Sequence, residues 1–315
     1  HVARRKTNPF QDVKLFHNYL TILRKENPDV VLTYNIKPNI YGGMVCQLLK
    51  IPYLPNITGL GTALEQPGLL QSFSKFLYRI GIAGADCVFF QNEANLRFFQ
   101  KNKLLSKRNR TRLLPGSGVA LNRFTYLKYP TNNNIQFLFA ARIMEDKGID
   151  IYLQAAKIIK ENNFDADFHI CGLCEDDKYL NVLNKAERKG YIHYHGEQKD
   201  LISWYKEMDC LVHPSFHEGM SNVLLEACAS GRPAITTNIP GCREIVADGQ
   251  TGYLVPTKNK FELADAIKKM INLSRKNRKN MGKKAREKVE NEFDRKIVVK
   301  EYIEEVENVF KNNFN

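Results

Sequence analysis

His213-Pro-Ser-Phe-His-Glu218-Gly219-Met220-Ser221-Asn222-Val223-Leu-Leu-Glu226-Ala-Cys-Ala-Ser-Gly231 decides how the chain is read. An apolar run over residues 210–213 leads into a Gly-containing turn, and a helix over residues 222–230 follows. A helix N-terminus reached through a permissive turn is a natural phosphate seat, because its first N–H groups lack intrahelical partners and its dipole favours anions. Glu218 and Glu226 flank that seat. Like charges repel, so these carboxylates are not there for phosphates; they accept hydrogen bonds from hydroxyls. A phosphate seat with two hydroxyl readers describes a nucleotide-sugar site.

Outward from this segment, short β-rich runs alternate with helical patterns. Residues 30–34, 53–58 and 87–91 read as strands and 113–114 as a weaker one, with helices at 38–50, 69–80 and 92–101 between them. The stretch Asn122–Asn134, with its polar Tyr129-Pro-Thr-Asn-Asn-Asn134, interrupts the alternation and reads as a linker. A second series follows: strands at 136–141, 167–171, 191–195, 210–213 and 234–237, with helices at 148–160, 178–189, 200–207 and 222–230. The tail from 261 to 310 reads as helical, basic first and then acidic. Such alternation predicts βαβ units and buried parallel sheets, hence two doubly wound α/β domains. Ligands of such sheets sit beyond the carboxyl ends of the strands, and Glu218 lies just past one.

The 315 residues suit two domains, and 43% apolar content is enough for two cores. No uninterrupted apolar run approaches a transmembrane span. The formal charge, 47 − 34 = +13, points to an anionic partner. Seven cysteines scattered through apolar stretches read as reduced thiols of a cytosolic protein. The chain opens on His1 with no signal peptide and reads as a fragment or processed product.

Several motifs, in order, resemble the retaining glycosyltransferase family 4. Residues 214–226, Pro240-Gly241-Cys242-Arg243-Glu244 and Asp248-Gly-Gln-Thr-Gly252-Tyr-Leu-Val-Pro256 resemble its donor domain. Ala140-Ala141-Arg142-Ile143-Met144-Glu145-Asp146-Lys147-Gly148 resembles its strand-to-helix loop, and Pro115-Gly116-Ser117-Gly118-Val119 the turn into its linker. Leu32-Thr-Tyr-Asn-Ile-Lys-Pro-Asn-Ile-Tyr-Gly-Gly43 with Asn56-Ile-Thr-Gly-Leu-Gly61 is similar to members that build bacterial surface polysaccharides and lipid-linked oligosaccharides. The resemblance implies the GT-B architecture, two Rossmann-like domains facing across a cleft. The expected division is an N-terminal acceptor-side domain at 1–125, a donor domain at 126–295, and a C-terminal helix at 296–315 packing back toward the first domain. By the same comparison the chain lacks the family's opening strand and Gly-rich loop, roughly 60–70 residues. Thr58 and Gly59 stand where many members carry a His.

For the residues, the resemblance implies that Arg142 and Lys147 meet the charge growing on the leaving diphosphate. Gly219, Met220, Ser221, Asn222 and Val223 would seat the donor, with Gly116 and Gly118 in the linker turn; an ordinary N-cap by Ser221 is compatible. Glu226 is expected to accept the ribose hydroxyls. Glu218 is expected to contact the transferred sugar or stabilise charge developing on it. A covalent nucleophile would also explain retention, but attack from the face of departure is favoured, with the diphosphate taking the acceptor proton.

Competing signals read as structural. Asp165-Ala-Asp167 lies before its strand, at the wrong end of the sheet for the site. Cys171-Gly-Leu-Cys174, even with His193 and His195, falls short of zinc-ligand spacing, and His213 and His217 span a strand end and a loop. Leu69, Leu70, Phe73, Phe76, Leu77 and Ile80 form a helical apolar stripe, read as core with a membrane face as the alternative. The basic runs at 101–112 and 275–288 have no interleaved aromatic platforms, which disfavours nucleic acid and leaves a solvated face or an anionic bilayer.

The expectation is a cytoplasmic enzyme, peripheral at the inner face of the membrane, that transfers a hexose or N-acetylhexosamine from a UDP-sugar to a lipid-linked glycan, with no metal or other cofactor. The alternatives are an epimerase or hydrolase of the same architecture, or a non-catalytic nucleotide binder.

Overall fold

The computed structural model describes residues 9–61, 64 and 68–314. The chain divides into two compact units, His1–Gly116 with Val298–Asn315, and Ser117–Ile297.

In the first unit, β-branched and aromatic runs form β1 (Val31–Tyr34), β2 (Tyr53–Ile57), β3 (Cys87–Phe90) and β4 (Arg110–Leu113). They pair in parallel in that order. Successive side chains of β3 alternate between two cores, as the two-residue period of a strand requires. Val88 and Phe90 pack with Tyr53, Tyr78 and Phe99, while Cys87 and Phe89 pack with Leu54, Val298 and Val309. The C-terminal helix Arg295–Phe314 supplies the last two residues. Its buried Glu305 receives Arg112 Nε at 2.8 Å and Arg110 Nη1 at 2.7 Å, so a carboxylate taken from water is paired twice.

Two features of this unit depart from expectation. Residues 38–50 begin as a π-type turn, Pro38–Gly42, before the α-helix Gly43–Leu49. The helix Leu69–Ile82 buries Ser74, Tyr78, Gly81 and Ile82; of its apolar stripe Leu77 packs on the core, while Leu69, Leu70, Phe73, Phe76 and Ile80 are exposed. The core reading of that stripe is therefore corrected.

The second unit holds β5 (Ile135–Ala140), β6 (Ala166–Cys171), β7 (His193–Tyr194), β8 (Cys210–His213), β9 (Ala234–Thr237) and β10 (Gly252–Val255). All are parallel, in the order β10-β9-β8-β5-β6-β7. The chain fills one side from β5 through β7, then returns to β8 and fills the other. The switch point is the β5–β8 pair, where a crevice opens at the carboxyl end of such sheets. Helices Ile149–Glu161 and Lys260–Asn272 cover one face through Ile149, Ile159, Leu263 and Ile267. Helices Asn222–Ala229 and Arg275–Glu292 cover the other through Leu224, Leu225, Ala285 and Val289.

Residues 117–125, expected with the first domain, lie in this second unit because Val119 and Phe124 join its core. The polar stretch after them is pinned there too. The fully buried Arg232 guanidinium donates to Lys128 O at 2.8 Å and lies 5.3 Å from the Tyr129 ring centroid.

Candidate active site

Two loops meet at the carboxyl ends of β5 and β8. The first, after Ala140, carries Arg142 and ends in a single 3₁₀ turn, Glu145–Lys147, before the helix Ile149–Glu161. The second runs from Pro214 to the helix Asn222–Ala229. Backbone contacts join them: Phe216 N–H donates to Asp146 O at 2.8 Å and Ser215 Oγ to the same oxygen at 3.2 Å. Gly148 makes this approach possible. Its φ is +73°, and a Cβ there would fall 2.0 Å from Pro214 O.

The joined loops bring Lys147 to Glu218. Lys147 Nζ donates to Glu218 Oε1 at 2.7 Å, and the two side chains are 20% and 13% exposed. The same oxygen lies 2.8 Å from His213 Nε2 at the end of β8. An ionised carboxylate only accepts, so Nε2 carries the proton of that bond. Burial pushes the Glu218 carboxyl up, but the His213 hydrogen bond and the neighbouring His213 and Lys147 outweigh it and hold the group at about 2. Both donors use Oε1; Oε2 has no hydrogen-bond partner among the described residues.

Glu226 sits in the second turn of the following helix, eight residues on. Its Oε2 accepts from the buried Tyr205 hydroxyl at 3.2 Å. Here burial dominates and raises the carboxyl pKa, against Tyr205 and Arg123, which lower it. Environment thus drives the two glutamates in opposite directions, the usual mark of carboxylates with different tasks.

Between them, Ser221 occupies the N-cap position, yet its hydroxyl makes no capping bond. Its N–H is instead taken by Gly241 O at 3.0 Å. The N–H groups of Asn222, Val223 and Leu224 fall outside the helix's own ladder, which begins with Leu225 N–H to Ser221 O. Gly219 and Met220 lie in the turn leading to them, with Met220 buried. Gly241, at φ +83°, presses against this turn; a Cβ would stand 2.5 Å from Gly219 O. Ser117 Oγ donates to Asn222 Oδ1 at 2.8 Å, so the linker turn reaches the helix start. Its flanking Gly116 and Gly118 both take positive φ, and Gly118 lies against the backbone of Arg295.

The structure therefore brings together Lys147, Glu218 and residues 219–223, with Glu226 on the same helix. Arg142 is exposed and makes no hydrogen bond or ion pair with any described residue. Sequence reasoning missed Tyr205 altogether, and weighed His213 only as a metal ligand. The sole signal for His213 was a polar residue ending an otherwise apolar strand.

Asp167 is held by Lys160 at 2.9 Å and Gln136 at 3.0 Å near the amino end of its strand. Cys171 and Cys174 are free thiols. Among the described residues, no group of three or more His, Cys, Asp or Glu side chains is placed to hold a metal ion.

Comparison with known proteins places the chain in a family. A family model described as glycosyl transferases group 1 matches residues 128–288, more than half of the 315-residue chain. A second, glycosyl transferase 4-like, matches residues 1–92. The N,N'-diacetylbacillosaminyl-diphospho-undecaprenol alpha-1,3-N-acetylgalactosaminyltransferase of Campylobacter jejuni is 27% identical over 98% of this chain and 85% of its own. The capsular polysaccharide biosynthesis glycosyltransferase CapM of Staphylococcus aureus is 27% identical over 96% and 82%. Among solved structures, sucrose-phosphate synthase from Thermosynechococcus elongatus gives a TM-score of 0.84 at 19% identity, covering 99% of this chain and 81% of that one. HepE from Anabaena, in complex with UDP and glucose, gives 0.77 at 16% identity over 95% and 81%. At these identities the structures speak for the fold alone: two parallel-sheet α/β units, as in GT-B chains.

Proposed function

The chain belongs to the glycosyl transferases of group 1, and we propose that it transfers a hexose or N-acetylhexosamine from a UDP-sugar, with retention, to a lipid-linked glycan acceptor. The observation that carries this reading is the Lys147–Glu218–His213 cluster beside the open helix start at Asn222. In this reading the N–H groups of residues 222–224 and the Lys147 ammonium take the diphosphate, and Arg142 swings to it from its exposed position. Cations fixed where charge develops lower the barrier electrostatically, a task that needs no metal ion. Glu226 accepts the ribose hydroxyls through the oxygen that Tyr205 leaves open. Glu218 accepts a hydroxyl of the sugar on Oε2 and offsets positive charge developing at its anomeric carbon.

In this reading Glu218, held by His213 at 2.8 Å, remains an acceptor and electrostatic partner of the sugar and does not deprotonate the acceptor. The departing diphosphate takes that proton instead, from the face on which it leaves. A lipid-linked acceptor is supported by the printed activities of relatives: the Campylobacter enzyme above, and the Escherichia coli UDP-Gal:alpha-D-GlcNAc-diphosphoundecaprenol alpha-1,3-galactosyltransferase, 27% identical over 88% of this chain and 76% of its own. No helix among the described residues is long and apolar enough to cross a membrane. The reading therefore puts the protein peripherally at the inner face of the cytoplasmic membrane.

A panel of UDP-sugars, assayed with membrane extract as acceptor source, tests the proposal. It expects UDP release that depends on both donor and extract. Equal release without extract would make the protein a hydrolase or epimerase instead.

A further inference from the structure

The helix Leu69–Ile82 carries a second apolar ridge besides the face that packs on the core. Ordinary surface helices point their apolar stripe at the core and their polar residues at water. Here Ser74, Tyr78, Gly81 and Ile82 face the core with Leu77 packed beside them, whereas Leu69, Phe73, Phe76 and Ile80 are 92%, 56%, 57% and 40% exposed. Their i, i+4, i+7, i+11 spacing lines them along one ridge of the helix. Leu70, half exposed, widens it. Contiguous exposed apolar surface of this kind marks an interaction site.

What surrounds the ridge identifies the partner. Arg79 donates to Lys103 O at 3.1 Å and Asn102 O at 3.3 Å, which brings the exposed Lys103 to the helix flank. The turn at residues 106–109 is anchored to the helix's C-terminal end, with Ser106 Oγ donating to Ala83 O at 3.0 Å and Asn109 Nδ2 to Ile82 O at 3.0 Å. That turn presents Lys107 and Arg108, both exposed. Asp86 and Glu93 are the acidic residues of the entire stretch from 69 to 112, and Glu93 is already paired with Arg97. Apolar side chains flanked by cations fit a surface with an apolar interior and anionic headgroups. A second copy of this chain would instead set like charges against each other across a self-complementary face.

We infer that the exposed face of the helix Leu69–Ile82, together with the basic turn at its C-terminal end, docks this protein on an anionic lipid bilayer. The aromatic and aliphatic side chains enter the headgroup–acyl boundary, and Arg79, Lys103, Lys107 and Arg108 meet lipid phosphates. The surface gives the peripheral location proposed above a place on the chain, and rests on that reading.

Flotation of the full chain with vesicles tests it, comparing phosphatidylglycerol–phosphatidylcholine mixtures with pure phosphatidylcholine. The wild type should float with the anionic vesicles at least tenfold more than with the neutral ones. Phe73→Asp with Phe76→Asp should lower that partitioning at least tenfold at unchanged Tm. Lys103→Glu, Lys107→Glu and Arg108→Glu together should abolish the preference for anionic lipid. A wild type that stays with the soluble fraction, or phenylalanine variants that float like it, overturns the inference. So does a solution dimer that those variants split, which assigns the face to a second copy. Flotation does not require turnover, so an inactive protein that still floats would count against the transfer reading and support the surface.

Discussion

Lys147 and Glu218, from the ends of two different strands, share an ion pair of 2.7 Å at the switch point of the second sheet. In the proposed reading the pair sets a phosphate-binding cation against a sugar-binding carboxylate; His213 lies on the same oxygen. Each fixes the other until a diphosphate competes for the ammonium. Glu218→Gln keeps the shape and removes the charge. It should lower kcat by about 100-fold or more, the usual cost of losing one charge-stabilising group, while UDP affinity stays within a few-fold. Steady-state kinetics beside calorimetric UDP titration separates the two effects.

Glu226 carries the opposite prediction. Burial raises its pKa, so the carboxylate is lost at a higher pH than an ordinary glutamate as acid is added. In the proposed reading the ionised carboxylate is the stronger acceptor for the ribose hydroxyls. UDP affinity should therefore fall as pH drops toward the carboxylate range, and Glu226→Gln should bind about 10-fold more weakly with that dependence flattened. Calorimetry from pH 7.5 down to 5 would reveal either behaviour.

His213 touches the proposed site through Glu218. Its buried Nδ1 has no hydrogen-bond partner among the described residues, so its one bond is the Nε2 contact at 2.8 Å. His213→Phe preserves the packed volume and removes that bond, one of the causes holding Glu218 at about 2. The acid limb of the kcat profile should move to higher pH, with KM for donor little changed. A profile superimposable on wild type would confine His213 to packing.

Stability should also respond to pH through His169, which is stacked on His193 and bonded to His195 at 3.0 Å and Gln136 at 2.7 Å. Burial, then the neighbouring His195 and His193, depress its pKa to about 4. The unfolded chain takes up this proton below about 6.5 and the folded one only near 4. The contribution is complete above pH 6.5 and is lost as pH falls toward 4. Urea midpoints at pH 7, 5.5 and 4 should decline less for His169→Gln than for wild type.

Five of the six strands of the second unit and the turn before Asn222 were legible because β-rich runs and small residues are local signals, whereas β10 and the order of the strands, which rest on remote pairing, were not. Distances between remote loops were not. Nothing in the sequence pairs Lys147 with Glu218, and Tyr205 gives no local sign that it will reach Glu226. The helix Pro9–Glu26 was not read, although Leu15, Phe16, Tyr19, Leu20 and Leu23 stand at helical spacing, are partly buried, and Leu23 packs on the first unit's core. The orientation of Leu69–Ile82 was not legible. Periodicity finds an apolar ridge but cannot say which side meets the core, and here Ser74 and Gly81 allow the closer approach.

The most direct test follows labelled sugar from UDP-sugar into a diphosphoundecaprenol-linked acceptor, in EDTA, with the anomeric configuration of the product read by NMR. The account predicts an α-linked, lipid-extractable product from an α-configured donor, formed by wild type and lost in Glu218→Gln. A β-linked product, strict dependence on added Mn²⁺, or equal labelling by Glu218→Gln would contradict it.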